Sequence, residues 1–229
     1  MPERTRIEIA DGIARITLDD GKVNALSSEM LAELGERLDA AEKAGAVVAL
    51  RGREGVFSGG FDLKTFQRGP EATVEMVRRG ADLVLRLLGF PRPILAVSSG
   101  HAIAAGSFVL MACDVRFGLA GPFQAGLNET AIGLTVPKFV LELARHRLTP
   151  AGFARVPSAV LVDPEEALRL GYLDRVLPAE QLDAAVESEL ARLRALDATA
   201  FTATKARVHE RALRAIAAAV DEEMRGAGR

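Results

Sequence analysis

A glycine-rich turn separates an apolar run from a helical pattern at residues 57–64, which read FSGGFDLK. The run before it, Ala46 to Leu50, is continuously apolar, as in strands that are covered on both faces of a sheet. Adjacent Gly59 and Gly60 allow a close backbone approach, and the start of the next helix presents unpaired N–H groups that suit a developing negative charge. Taken alone, a segment of this composition is more often a plain structural turn.

A second segment repeats this arrangement at residues 98–107, which read SSGHAIAAGS and follow the apolar run Ile94 to Val97. The small residues Ala104, Ala105 and Gly106 leave the backbone accessible at another helix start. Turns at the carboxyl ends of neighbouring parallel strands can share one site. We therefore predict that two backbone N–H groups, one from each turn, meet at a single ligand oxygen.

The remaining pattern predicts an α/β fold. Alternating apolar residues on either side of Asp11-Gly12 indicate an opening hairpin. Two amphipathic helices follow, and we place their apolar stripes at Leu31, Leu34, Leu38 and Ala41 and at Val74, Val77, Ala81, Leu85 and Leu88. After Pro137 the pattern is almost wholly helical, with residues 172–177 as the remaining strand candidate. We predict a core over residues 1–177 and a helical region over residues 178–229 that packs on the core or on a neighbouring subunit.

The overall charge excludes a long-range electrostatic field. The chain carries 29 basic and 31 acidic residues, a net charge of -2, so it offers no field to attract nucleic acid or an anionic bilayer. A polyanionic ligand would need a local basic rim. Cys113 is the single cysteine, which excludes an internal disulfide and suits a reducing compartment, so we expect a cytoplasmic protein.

Two further features could mislead. Residues 93–113 contain no Asp, Glu, Lys or Arg. This uncharged segment is long enough to suggest a membrane span, but its Pro, Gly and Ser residues predict a strand, a turn and a helix instead. No His, Cys, Asp and Glu grouping has metal-ligand spacing, so we expect no metal. We expect His101 to face away from the two N–H groups, and His146 and His209 to lie on the surface of arginine-bearing helices.

Together with residues 22–27, KVNALS, the two turns resemble the crotonase family, also called the enoyl-CoA hydratase/isomerase family. Three motifs occur in the family's order with compatible spacing, and residues 163–177 are similar to its Pro-Glu-Glu-Ala, Gly, strand passage. The resemblance runs almost end to end. It implies a spiral of repeated ββα units, a C-terminal helical region that serves as lid and oligomer contact, and homotrimers or hexamers.

The resemblance also implies an acyl-CoA thioester as the ligand, with coenzyme A as part of the substrate and no separate cofactor. By position, the N–H groups of Phe61 and Ala105 form an oxyanion hole for the thioester carbonyl. The loop from Lys22 to Ala25 matches the one that contacts CoA, with Lys22 as a local phosphate partner. The implied substrate-binding residues are Lys22, Val23, Ala25, Gly60, Phe61, Asp62, Leu63, Ala104, Ala105 and Phe108.

The sequence departs from the family's hydratases at one of their two catalytic glutamates. Phe108 occupies the first position and cannot move a proton, whereas Glu129 occupies the second. A glutamate beside Asn128 and Thr130 is otherwise a solvated loop residue or a helix cap. In an apolar pocket, however, its pKa would rise and it could act as a base near neutral pH. Residues 135–139, TVPKF, replace the family's glycine-rich turn, so the acyl pocket must have a different wall.

One carboxylate can move a proton between two carbons, whereas adding water normally needs a second group. We therefore expect double-bond isomerisation, with Glu129 as the single base acting on an enolate held by the oxyanion hole. Three alternatives stay open. They are an enoyl-CoA hydratase-like lyase, a CoA-thioester hydrolase or decarboxylase, and a crotonase-fold protein that binds acyl-CoA without turnover.

Overall fold

A computed structural model describes residues 3–227 of the chain and contains two sheets. The larger sheet begins with an antiparallel hairpin whose turn is Asp11-Gly12, both at positive φ, as predicted. All later strands join it in parallel, in the order β1-β2-β3-β5-β7-β9. The strands of this sheet are β1 (Thr5–Ala10), β2 (Ile13–Leu18), β3 (Val47–Gly52), β5 (Ile94–Ser98), β7 (Val115–Leu119) and β9 (Arg175–Leu177).

The smaller sheet consists of three short parallel strands, β4 (Gly55–Ser58), β6 (Gly100–Ile103) and β8 (Ala125–Gly126). The sequence pattern places the first two segments in turns, and that prediction was wrong. Strands of two to four residues are too short for alternation to show, and glycine weakens the usual strand signal. The glycines allow close backbone contact: a Cβ on Gly100 would lie 1.9 Å from the carbonyl carbon of Gly55. The two site turns therefore end β4 and β6.

Helices cover both faces of the larger sheet. Ser27 caps the first helix by accepting a hydrogen bond from the N–H of Met30. Short 3-10 turns occur at Glu129–Ile132 and Val156–Ser158. The helices are α1 (Ser28–Lys43), α2 (Leu63–Phe66), α3 (Pro70–Gly89), α4 (Ala105–Ala112), α5 (Lys138–Arg147), α6 (Pro150–Arg155), α7 (Pro164–Leu170), α8 (Ala179–Arg194) and α9 (Ala198–Ala227).

The buried stripe of α3 differs from the predicted one. Ala81 and Leu88 are buried as expected, but Val74, Val77 and Leu85 are only half-buried. The core side of the helix instead carries Met76, Leu83, Val84 and Leu87. The apolar residues of α3 thus cover more than one face, because the helix packs on the core and also borders a cavity.

The C-terminal helices pack on the core of their own chain. Leu182, Val186 and Leu190 of α8 cover one face of the larger sheet, and Ile216 and Val220 of α9 join the core on the other face, which includes α3 and α5. The ends of the two predicted regions, residues 1–2 and 228–229, lie outside the described residues. Within residues 3–227, no helix is long and apolar enough to cross a membrane.

Candidate active site

The two predicted turns lie in van der Waals contact. Gly60 has a φ of +99°, and a Cβ built on it would lie 3.0 Å from Cβ of Ala104 and 3.3 Å from the backbone N of Ala105. The first turn is held by the loop before α1, because the N–H of Leu26 donates to the carbonyl of Gly60 at 2.8 Å. Glycine is therefore required at position 60 for both the backbone angle and the contact.

The N–H groups of Phe61 and Ala105 both remain available for a ligand. Neither donates a hydrogen bond to an acceptor within residues 3–227. Ala104, just before the second donor, has φ 49° and ψ -120°, a conformation that costs a non-glycine residue about 1–3 kcal/mol. Its own N–H donates to the carbonyl of Gly126 at 2.9 Å, which anchors the turn. This hydrogen bond holds the strained turn, and with it the start of α4, beside Gly60.

A cavity of about 390 Å³ adjoins these turns. Of the predicted site residues, Phe61, Leu63, Ala104, Phe108 and Glu129 line it. The wall is mainly apolar, and the ring of Phe108 packs edge to face on Phe61, with ring centroids 5.5 Å apart. Phe108 is fully buried, so it forms a wall where the resemblance places a carboxylate. The cavity suits an acyl chain.

Glu129 is a buried carboxylate on the wall of this cavity. It begins the short 3-10 turn and is 7% exposed, and its Oε2 has no hydrogen-bond donor among the described residues. Burial raises the pKa of Glu129 above its usual value of 4.5. Burial and the nearby Glu129 charge also raise the pKa of Tyr172 to about 12. A raised pKa suits a carboxylate that has to accept a proton.

A second groove, of about 410 Å³, meets the cavity at Gly59. Lys22, Val23 and Arg53 line it. The guanidinium of Arg53, between β3 and β4, donates to the carbonyl of Lys22 at 2.6 Å, so it lies against the loop before α1. Glu54 also lines the groove, so two cationic side chains and one carboxylate border it. His101 lines this groove and accepts a hydrogen bond from the N–H of Gln124; it does not line the cavity.

The loop that carries Lys22 is rigid for a local reason. The carboxylate of Asp20 accepts hydrogen bonds from the N–H groups of Lys22, Asn24 and Ala25. Asn24 is fully buried, and its side-chain amide donates to the carbonyls of Leu18 and Phe57. The loop is therefore tied to β2 and β4, beside the first turn.

Comparisons with known proteins agree with this geometry. The residue pattern of the enoyl-CoA hydratase/isomerase family matches residues 8–226. The chain belongs to this family. It is 30% identical over 201 residues to human mitochondrial enoyl-CoA delta isomerase 1, covering 85% of this chain and 67% of that protein. It is 33% identical over 167 residues to a probable enoyl-CoA hydratase of Bacillus subtilis, covering 70% of this chain and 64% of that protein.

Among solved structures, an enoyl-CoA hydratase/isomerase family protein from Pseudomonas syringae is similar over almost the whole chain. The TM-score is 0.95 at 39% sequence identity, and the match covers 97% of both chains. The predicted crotonase fold is therefore confirmed. The curated relatives bear the names of both an isomerase and a hydratase, and the chain spans only about two thirds of their length.

Four predicted site residues of this family member line neither the cavity nor the groove, namely Ala25, Gly60, Asp62 and Ala105. Gly60 and Ala105 contribute backbone, as expected of a turn. The carboxylate of Asp62 instead caps α2, where it accepts hydrogen bonds from the N–H of Lys64 and the hydroxyl of Thr65. The predicted role of Asp62 in substrate binding stays a prediction beside this capping role.

The predicted surface placement of two histidines was wrong. His209 is buried and His146 is partly buried, and their ring nitrogens lie 2.8 Å apart between α5 and α9. The arginines that suggested a surface lie on the same helices, but the helices turn the two imidazoles toward each other. Burial lowers the pKa of both, that of His209 to about 3.

Part of the cavity wall is not predictable from the sequence. Thr73 and Val74 of α3, Asn128, and Glu223 and Met224 of α9 line it. Packing between distant helices brings these residues together, so no local pattern could indicate them. Gly80 of α3 does not line the cavity but leaves room for the ring of Phe61, because a Cβ there would lie 2.5 Å from that ring.

Proposed function

We propose that the chain moves a double bond along the acyl chain of an enoyl-CoA thioester, with Glu129 as its single base. The observation that carries this proposal is that an unpaired, buried carboxylate lines the same cavity as the turns that present the N–H groups of Phe61 and Ala105. A base and an oxyanion hole around one thioester are the requirements for forming an enolate.

The proposed reaction balances without a further reactant. The Glu129 carboxylate removes a proton from C2 of a 3-enoyl thioester, and the electron pair spreads over the double bond and the thioester oxygen. The N–H groups of Phe61 and Ala105 stabilise the negative oxygen. Protonated Glu129 then returns the proton to C4, and the double bond moves from C3–C4 to C2–C3. The raised pKa of Glu129 suits both steps, since the group must accept and release one proton.

The groove beside the cavity supports CoA as the carrier. Lys22 and Arg53 form the cationic rim that would pair with CoA phosphates, and Val23 offers an apolar contact for the pantetheine arm. The groove meets the cavity at Gly59, next to the first turn. A ligand with its CoA in the groove and its acyl chain in the cavity would have its thioester beside the oxyanion hole.

Phe108 favours isomerisation over hydration. Its ring is packed between Phe61 and Phe139, so this position cannot help to activate water. We expect very weak hydration of a short trans-2-enoyl-CoA.

Proton exchange tests the proposed base. Wild-type protein should exchange the C2 or C4 protons of a 3-enoyl-CoA with solvent deuterium. Mass spectrometry measures the deuterium that enters the acyl-CoA. Loss of a general base typically costs about two to four orders of magnitude in rate. Glu129→Gln should therefore nearly abolish the exchange while CoA-ester binding persists, and the exposed control Glu210→Gln should behave as wild type. Equal rates in wild type and Glu129→Gln would remove Glu129 from the mechanism and favour a non-catalytic acyl-CoA-binding protein.

We further propose a cytoplasmic homotrimer or a hexamer of paired trimers, supported by the family resemblance. The helical stripes of the C-terminal region do not add support, because α8 and α9 bury them in their own chain. Light scattering measures the mass directly. A stable monomer at micromolar concentration contradicts the proposal.

A further inference from the structure

Helix α3 contains a buried glycine near its centre, beside the wall of the acyl cavity. Gly80 lies in the interior of this 20-residue helix. Glycine destabilises a helix interior relative to alanine, and the φ of Gly80 is not positive, so the backbone does not require glycine. The local structure of the helix therefore does not account for this residue.

The ring of Phe61 occupies the space that a side chain at position 80 would take. A Cβ built on Gly80 would lie 2.5 Å from Cζ and 2.8 Å from Cε1 of this ring. Carbon atoms in van der Waals contact are about 3.5–4.0 Å apart, so an alanine at position 80 would displace the tip of the ring by about 1 Å or more.

Gly80 acts on the cavity through this ring. Phe61 lines the cavity, and so does Val77, which precedes Gly80 by about one turn on the same face of α3. Gly80 itself does not line the cavity. It lies behind the ring of Phe61, so its lack of a side chain determines how far the ring can withdraw from the cavity.

The surroundings of the ring leave the cavity as the direction in which it can move. On one side the ring packs edge to face on Phe108, which is fully buried and packs in turn on Phe139. Helix α3 is held in place by its packing on α1, α4 and α9. The cavity is the open space beside the ring, so a ring displaced by a side chain at position 80 would enter it.

The backbone of Phe61 is held separately from its ring. The carbonyl of Gly60 accepts a hydrogen bond of 2.8 Å from the N–H of Leu26, and the N–H of Asp62 donates to the carbonyl of Leu26 at 3.4 Å. These two hydrogen bonds flank Phe61. A rotation of its side chain therefore moves the ring while the N–H of Phe61 stays in the oxyanion hole.

We propose that Gly80 determines the length of the acyl chain that the cavity accepts. Glycine at this position lets the ring of Phe61 lie against α3, which leaves the cavity open to acyl carbons beyond the reacting C2–C4 segment. A side chain at position 80 moves the ring into the path of those carbons and restricts the protein to short acyl chains. This inference rests on the proposed function, because it assigns the chain-length class of the same cavity.

Calorimetric titration with saturated CoA esters of increasing length tests the inference. The probes are butanoyl-, hexanoyl- and octanoyl-CoA. Each buried methylene raises affinity by about fourfold, so wild-type protein should bind octanoyl-CoA about a hundredfold or more tightly than butanoyl-CoA. Gly80→Ala should bind butanoyl-CoA as wild type does, but its gain from butanoyl- to octanoyl-CoA should be less than about tenfold.

Two further variants separate the ring from the helix. Gly89→Ala is the matched control in α3, because a Cβ there meets no atom within 4 Å, and it should keep the wild-type dependence on chain length. Leucine lacks the ring atoms that meet position 80. Phe61→Leu combined with Gly80→Ala should therefore restore the gain from longer chains.

The outcomes distinguish this inference from the proposed function. The role of Gly80 would be overturned by wild-type affinities that do not rise with chain length, by a Gly80→Ala variant that keeps the full rise, or by an equal loss of all three esters in that variant. A Gly80→Ala protein that is unfolded by circular dichroism would also overturn it, because the cavity then gives the ring no room. Each of these results leaves the proposed function standing, whereas failure of every ester to bind the wild type would overturn both.

Discussion

Glu129 and the Lys205–Asp114 pair are both buried and ionisable, but their surroundings differ. The ammonium group of Lys205 lies 2.7 Å from the carboxylate of Asp114 and also donates to the carbonyl of Leu87. The same Asp114 oxygen accepts the N–H of Ile94. Glu129 has neither a cationic partner nor a donor for its Oε2 among the described residues.

This difference distinguishes buried charges that stabilise the fold, those of Lys205 and Asp114, from a buried charge available for chemistry, that of Glu129. Lys205 and Asp114 join α9 to the start of β5 and the end of α3, and each compensates the other's loss of water. Glu129 is buried without a partner charge, and the hydrogen bond from its own backbone compensates only part of its loss of water, so it should lower stability. It nevertheless lines a cavity beside two free N–H groups. A buried carboxylate at a cavity without a partner charge is typical of a site residue.

Breaking the structural pair should give the largest loss of stability. Lys205→Met leaves the Asp114 carboxylate buried without its cation, so we expect a loss of about 3–5 kcal/mol in the free energy of unfolding. Arg214→Met on the same helix removes an exposed ion pair with Glu210 and should cost less than about 1 kcal/mol. Urea denaturation measures both.

A double variant refines this result. Lys205→Met with Asp114→Asn removes both charges and should recover part of the loss. If Lys205→Met costs no more than Arg214→Met, the pair is not a structural element and the contrast with Glu129 fails.

Acid should weaken the contact between α5 and α9. The pKa of His209 is lowered to about 3 by burial and by the charges of Arg147 and Lys205, with partly buried His146 as its neighbour. An unfolded histidine titrates near 6.5, so the unfolded chain binds the proton first as the pH falls from 6.5 toward 3. Titration of His209 should then lower the free energy of unfolding by up to about 1.4 kcal/mol for each pH unit of this fall.

The comparison variant is His209→Gln, followed by thermal unfolding across this pH range. The variant should lose less stability than wild type between pH 6.5 and 4. Parallel curves for the two proteins would show that His209 does not titrate in this way.

The smallest effect on stability should come from removing the Glu129 charge, and it should be a gain where the other changes cause a loss. Its raised pKa means that the fold disfavours the ionised form. This penalty is full above the folded pKa and absent well below the ordinary value of 4.5. Glu129→Gln should therefore leave stability unchanged or raise it by up to about 1 kcal/mol at pH 8, and this gain should shrink toward pH 4.5. A loss of more than 1 kcal/mol would instead give Glu129 a structural role.

The sequence could predict the parts of the site that neighbouring residues determine, but not the parts that the packing of distant helices determines. The turns at Gly60 and Ala104 depend on small residues at a strand end and a helix start, so the sequence indicates them directly. Position relative to these turns, through the family resemblance, also pointed to Glu129. Glu223 and His209 depend on how α9 crosses α3 and α5, which no local pattern records.

A crystal structure of Glu129→Gln with a bound 3-enoyl-CoA tests the proposed oxyanion hole and base most directly. We predict the thioester oxygen at about 2.7–3.2 Å from the backbone nitrogens of both Phe61 and Ala105. We also predict the residue 129 side chain beside C2 of the acyl chain. A thioester oxygen beyond hydrogen-bond reach of either nitrogen, with no closing movement available to the turns, would contradict this mechanism.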